Sequence, residues 1–173
     1  MVNWVDFETI LKEPCVTGHI WPMTSRSPRL AARAIIVQDD ALLLVNAYPP
    51  SRGSDLWCAP GGGVAAGRSL SDNLQREVHE ETGLTIRVGA LALVNEFHDP
   101  DNGFHQVELF FRCTIVGGAI DPAWRDPGNI VSQRRFFSRS ELDLVRLKPD
   151  NLRDVAFGPI GPAQYDPLEK IVR

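Results

Sequence analysis

Between Pro60 and Leu84 the chain reads PGGGVAAGRSLSDNLQREVHEETGL, and no other segment limits the fold as sharply. Proline followed by three glycines breaks regular structure and lets backbone approach closely. The next stretch, about Ser69 to Thr82, has helical spacing, with Leu70, Leu74 and Val78 as its apolar positions. Gly83 then stops the helix as a left-handed C-cap. A loop, a short helix and a hard stop are therefore expected in sequence, with one stripe of the helix committed to a core.

That helix carries Glu77, Glu80 and Glu81. At about 100° per residue, Glu80 lies near −60° and Glu81 near +40° from Glu77, so the three acids share an arc of roughly 100°. Like charges at this spacing repel one another. They also stand near the helix C-terminus, where the macrodipole disfavours anions. A counter-cation is expected. Clustered carboxylates are hard oxygen donors, which suit Mg²⁺ or Mn²⁺ better than zinc. The amides of the glycine run are placed to approach an anion.

The rest of the chain predicts a mixed α/β (α+β) domain without regular strand–helix alternation. Arg29–Val37 and Ala41–Asn46 read as a hairpin turning at Gln38-Asp39-Asp40. Leu84–Phe97 and Gln106–Val116 read as strands on either side of an Asp99–Gly103 turn. Arg134–Phe137 is a last short strand. Ser138-Arg139-Ser140-Glu141 is a capping box for a helix through about Leu147. Trp4, Phe7, Ile10 and Leu11 suit a short helix over residues 3–12. The expected layout is residues 1–28 as helix and connection, 29–148 as the domain, and 149–173 as a tail packed on it or partly irregular.

Composition excludes some classes. A net charge of −4 argues against a protein that coats a nucleic acid polymer. No run approaches the roughly 20 apolar residues of a membrane span, and the N-terminus does not read as a signal peptide. Cys15, Cys58 and Cys113 are odd in number and widely spaced. That suits reduced thiols in a cytoplasmic protein better than disulfides or zinc.

Gly62, Arg76, Glu77, Val78, Glu80, Glu81, Gly83 and Leu84 fall in the spacing G-x5-E-x7-R-E-U-x-E-E-x-G-U, with U a bulky aliphatic. This resembles the Nudix box of the Nudix hydrolases, and the flanking strands extend the likeness to about residues 30–148. The resemblance implies an α/β/α sandwich around a mixed sheet. It implies metal-dependent hydrolysis of a phosphoanhydride bond in a nucleoside diphosphate linked to another group. Glu77, Glu80 and Glu81, with the backbone at Gly61, would hold Mg²⁺ or Mn²⁺, and Arg76 would belong to the catalytic set. Family analogy also suggests a homodimer. A near match to a P-loop, Gly62-x4-Gly67-Arg68-Ser69, fails because Pro60 precedes it and an acidic cluster follows.

One position departs from the pattern: Arg68 stands where the family has Glu. It is a candidate phosphate contact or a solvent-facing substitution. The departure also leaves open a catalytically weakened Nudix domain that binds nucleotides or regulates a partner. Arg33, Glu96 and His98 are the other substrate-binding candidates. Arg29 shares the face parity of Arg33. Glu108, His105, Phe97 and Phe104 are outside candidates, and Asp126 is the only acid in the loop before Arg134. Nothing in the sequence selects among nucleotide sugars, ADP-ribose, dinucleoside polyphosphates, modified triphosphates and coenzymes.

Overall fold

The computed structural model describes residues 27–172. The expected N-terminal helix and Cys15 lie outside them. Strands β1 (Arg29–Gln38) and β2 (Ala41–Asn46) form the expected hairpin. Asp39 and Asp40 turn it with φ of 50° and 56°, the left-handed pair that matches strand twist. β3 (Leu56–Cys58) and β4 (Gly61–Gly63) follow, then helix α1 (Leu70–Thr82). β5 (Thr85–Asp99) and β6 (Phe104–Gly117) form a long antiparallel pair. β7 (Arg134–Ser138), β8 (Arg146–Leu147), helix α2 (Leu152–Phe157) and β9 (Gln164–Lys170) complete the order.

The strands join in one mixed sheet along the path β8-β3-β2-β1-β6-β5-β9, with β4 also on β1 and β7 on β2. β1 runs parallel to β6 along Arg29–Ile36, and β9 runs parallel to β5. One edge of β1 is divided. Its Val37 end pairs with β2, while Ala31–Arg33 pair with the glycines of β4. The glycine run is thereby held as a short strand against β1.

Period-two alternation splits the core into two layers. On one face Ala32, Ala34, Ile36 and Leu43 pack with Leu74 and Val78 of α1. On the other, Ile35, Leu42, Leu44, Leu93 and Phe110 pack with Leu152, Val155 and Ala156 of α2. This is the α/β/α arrangement. Leu74 and Val78 are fully buried, and each such burial contributes about 2 kcal/mol toward docking α1.

Two local expectations change. Ser138–Leu147 is not a helix. Glu141 accepts the Ser138 N–H at 2.8 Å, half of a capping box, but only a 3-10 turn over Glu141–Leu144 follows. Leu142 is buried and Leu144 is 84% exposed, so continuing the helix gains no apolar contact there. Arg146 and Leu147 instead pair with Leu56 and Trp57. The segment after Pro149, rich in Pro and Gly, supplies both α2 and the edge strand β9. Among the described residues no helix is long and apolar enough to cross a membrane.

Candidate active site

Helix α1 is pinned at both ends. Ser69 Oγ accepts the Asp72 N–H at 3.0 Å as N-cap. Gly83, at φ 76°, donates its N–H to His79 O at 2.8 Å. Trp124 Nε1 donates to Glu80 O at 2.9 Å and so satisfies a carbonyl of the last turn. Its ring lies edge-on to His79, with centroids 5.3 Å apart. Buried Asn73 ties the helix to the glycine strand. Its Nδ2 donates to Gly63 O at 3.1 Å, and its Oδ1 accepts from Ala65 N and from Arg76. Sequence reasoning did not single out Asn73 or Trp124. An amide one turn into a helix after a glycine run was the available signal for Asn73. Trp124 had none.

The acids divide into two groups. Arg76 donates to Glu77 Oε1 at 2.5 Å and to Glu80 Oε2 at 2.6 Å. Glu81 turns the other way, and its Oε2 accepts the Gly61 N–H at 2.8 Å. Among the described residues no three carboxylate, imidazole or thiol groups are gathered around a single point as a metal cage. The local counter-cation of Glu77 and Glu80 is Arg76. Burial pushes the Glu81 pKa up to about 8, although Arg33 and the Gly61 N–H both pull it down.

The loop leaves no room for a side chain at Gly61, and one at Gly62 would displace an acid. At Gly61 the φ is 135°, and a Cβ would stand 2.2 Å from Ala32 O. At Gly62 it would stand 2.5 Å from a carboxylate oxygen of Glu77. Gly61 is bonded on both sides, because its carbonyl accepts from Arg33 at 2.8 Å while its N–H goes to Glu81.

Arg33 joins this centre to a cleft of about 220 Å³ on the α2 side of the sheet. Its Nε donates to Glu108 at 2.8 Å, and Gln106 Nε2 donates to the same oxygen at 2.8 Å. Arg29, Tyr48, Cys58, Phe97 and Lys170 also line the cleft. Burial pushes the Cys58 thiol up to about 12, so it stays protonated and poorly nucleophilic. The chain end borders the cleft, with Tyr48 Oη donating to Val172 O at 3.1 Å.

The other candidates are dispersed. The Arg68 side chain is exposed and forms no hydrogen bond or ion pair among the described residues. Asn95 and Phe97 face the cleft, so strand alternation turns Glu96 and His98 to the opposite face of β5. There Glu96 accepts from Tyr165 Oη at 2.9 Å and lies 3.1 Å from His105 Nε2. The His98 carbonyl accepts the Ile171 N–H. Asp126 is buried, and its two oxygens take the N–H groups of Gly128, Ile130 and Val131. It closes its own loop.

Comparison with known proteins agrees with this geometry. The model of the NUDIX domain matches residues 27–157. An ADP-ribose pyrophosphatase of Methanocaldococcus jannaschii is 29% identical over 116 residues, which cover 66% of this chain and 64% of that protein. A diphosphoinositol polyphosphate phosphohydrolase 2 of Rattus norvegicus is 32% identical over 100 residues, covering 58% and 51%. The chain thus spans less than two thirds of the length of these curated relatives. Among solved structures, an ADP-ribose pyrophosphatase from Streptococcus suis superposes with a TM-score of 0.59 at 25% identity. That match covers 81% of this chain and 100% of the other. A UDP-X diphosphatase, at 23% identity and a TM-score of 0.62, covers 95% of this chain and 77% of its own, and shares the fold. A NUDIX match over most of the chain, together with the glycine strand and acid-bearing helix that the structure sets side by side, makes this protein a member of the Nudix hydrolase family.

Proposed function

We propose that this protein is a pyrophosphohydrolase dependent on a divalent cation, cutting a phosphoanhydride bond in a nucleoside diphosphate linked to another group. The observation that carries this reading is the contact of Glu77 and Glu81 with the glycine strand, one arginine away from the cleft. The donor set fits Mg²⁺ or Mn²⁺, being three carboxylates and glycine backbone with no soft ligand among them. Glu77, Glu80 and Glu81 would hold the cation, which when bound supplies charge neutralisation for the diphosphate and an activated water.

The chain's own residues set the positions. Arg76 keeps Glu77 and Glu80 on one side of α1. Asn73 and Ser69 fix the start of the helix, and Trp124 fixes its last turn. Arg33 holds the Gly61 carbonyl, and Arg29 brings a guanidinium to the cleft wall beside it. The nucleoside end of the substrate would occupy the cleft, and the diphosphate would lie across Gly61–Gly63 toward the acids.

One observation favours a second reading, a weakened domain that binds nucleotides without turning them over. Position 68 has no acid, and Asp126 is spent on its own loop. A panel of nucleoside diphosphate derivatives with Mg²⁺ or Mn²⁺, reading released phosphate and nucleotide, separates the two. Turnover by the wild type that disappears in Glu80→Gln supports the enzyme. Equal turnover by Glu80→Gln, or binding without turnover on the whole panel, rejects it.

A further inference from the structure

The cleft floor contains two amides left incomplete. Gln106 is 3% exposed and Asn95 1% exposed, and both line the cleft. Glu108, held by Arg33, is a carboxylate and can only accept, so the Gln106 amide nitrogen must face it. That leaves Gln106 Oε1 with no hydrogen-bond partner. Asn95, the strand partner of Glu108, has its Nδ2 unpartnered as well. The large majority of buried polar side-chain atoms in folded proteins are paired, so a donor and an acceptor both orphaned in one floor point to something that completes them.

The walls narrow the choice. Phe97 and Phe104, with ring centroids 6.0 Å apart, both line the cleft. Two of its four cations are committed: Arg33 to Glu108, and Lys148 to Asp150 and Glu169. Among the described residues lining the cleft, Arg29 and Lys170 alone of the basic side chains form no ion pair. Two cations beside aromatic rings suit a planar heterocycle carrying few phosphates. They do not suit a ligand phosphorylated at many positions.

We infer that Asn95 and Gln106 are the specificity-determining pair of this cleft, reading the edge of a nucleobase that offers one acceptor beside one donor. Asn95 Nδ2 donates to the ring or carbonyl acceptor, and Gln106 Oε1 accepts from the adjacent N–H. The inference rests on the pyrophosphohydrolase reading, and it names a nucleotide rather than an inositol polyphosphate as the substrate class.

The test is titration calorimetry on the full chain without metal, using AMP, UMP, ribose 5-phosphate and inositol hexakisphosphate. At least one nucleotide is expected to bind about tenfold or more tightly than ribose 5-phosphate, because a base-free ligand leaves both amides unpaired. Asn95→Leu and Gln106→Met should each lower that affinity about tenfold while leaving ribose 5-phosphate unchanged. Thermal melting shows that the variants fold. Should Gln106→Met not fold, Asn95→Asp, which exchanges the donor for an acceptor, tests the same pair. Equal binding of nucleotide and ribose 5-phosphate overturns the inference. So does tighter binding of inositol hexakisphosphate, or no binding of either nucleotide. Selective binding of AMP or UMP, with no turnover of any nucleoside diphosphate derivative by the wild type, would sink the catalytic reading alone.

Discussion

Glu81 Oε2 accepts the Gly61 N–H at 2.8 Å, so the last acid of α1 holds the loop that precedes the helix. Burial raises this acid from an ordinary 4.5 to about 8. The folded state then binds a proton over an interval where the unfolded chain has released it. Its contribution to stability is fully present below about 4.5 and is lost as pH rises through about 8. In metal-free protein the melting temperature is expected to fall across that window, and Glu81→Gln should flatten the fall. Added Mg²⁺ or Mn²⁺ should stabilise the wild type most at the upper end, where the carboxylate is charged. A slope that survives in Glu81→Gln assigns the effect to another group.

The two glycines that touch the acids should fail differently. Gly61→Ala drives a methyl toward Ala32 O on β1 and demands a φ of 135°, and a loss of about 2–4 kcal/mol is expected in urea unfolding. Gly62→Ala meets the movable carboxylate of Glu77. Stability should fall by only about 1 kcal/mol, while kcat falls more steeply as Glu77 is pushed away. Gly67→Ala is the control. It has a φ of 77° and nothing nearby, so about 1 kcal/mol of strain is its whole effect. Equal kcat losses at Gly62 and Gly67 would contradict this division.

Arg68 occupies the position where the family pattern has an acid, yet its side chain is exposed and Arg76 is already satisfied by Glu77, Glu80 and Asn73. Arg68→Glu is therefore expected to shift stability by less than about 0.5 kcal/mol and to leave KM for the best substrate unchanged. A several-fold rise in KM would show that Arg68 meets the phosphates after all.

Much of this arrangement was legible in the residues. Helix α1 and its stop at Gly83 follow from the spacing of Leu70, Leu74 and Val78 and from one glycine in the left-handed region. The β1–β2 hairpin follows from two apolar runs around adjacent aspartates. What escaped depends on register or on distant partners. Glu96 and His98 read as substrate contacts, but which face a strand residue meets is set by pairing across the sheet. Arg33 reads as a substrate contact, yet Glu108, far along the chain, claims its Nε. Glycine and proline hid β9, because a parallel strand pairing with β5 has no local signal.

Trp124 is the clearest case of a residue that only the fold could identify. It lies in a loop, reaches α1 from 44 residues away and donates Nε1 to Glu80 O. A Cβ at Gly83 would stand 2.9 Å from its ring. Trp124→Phe keeps an aromatic ring over Gly83 but leaves the carbonyl without this donor, which should reduce stability by about 1 kcal/mol. Trp124→Ala also removes the ring and should reduce it by about 3 kcal/mol. Both changes loosen the turn that carries Glu80 and Glu81, so hydrogen exchange of the last-turn amides should quicken and kcat should fall with little change in KM. A Phe variant with wild-type exchange and kcat would show that glycine and the backbone alone fix the end of the helix.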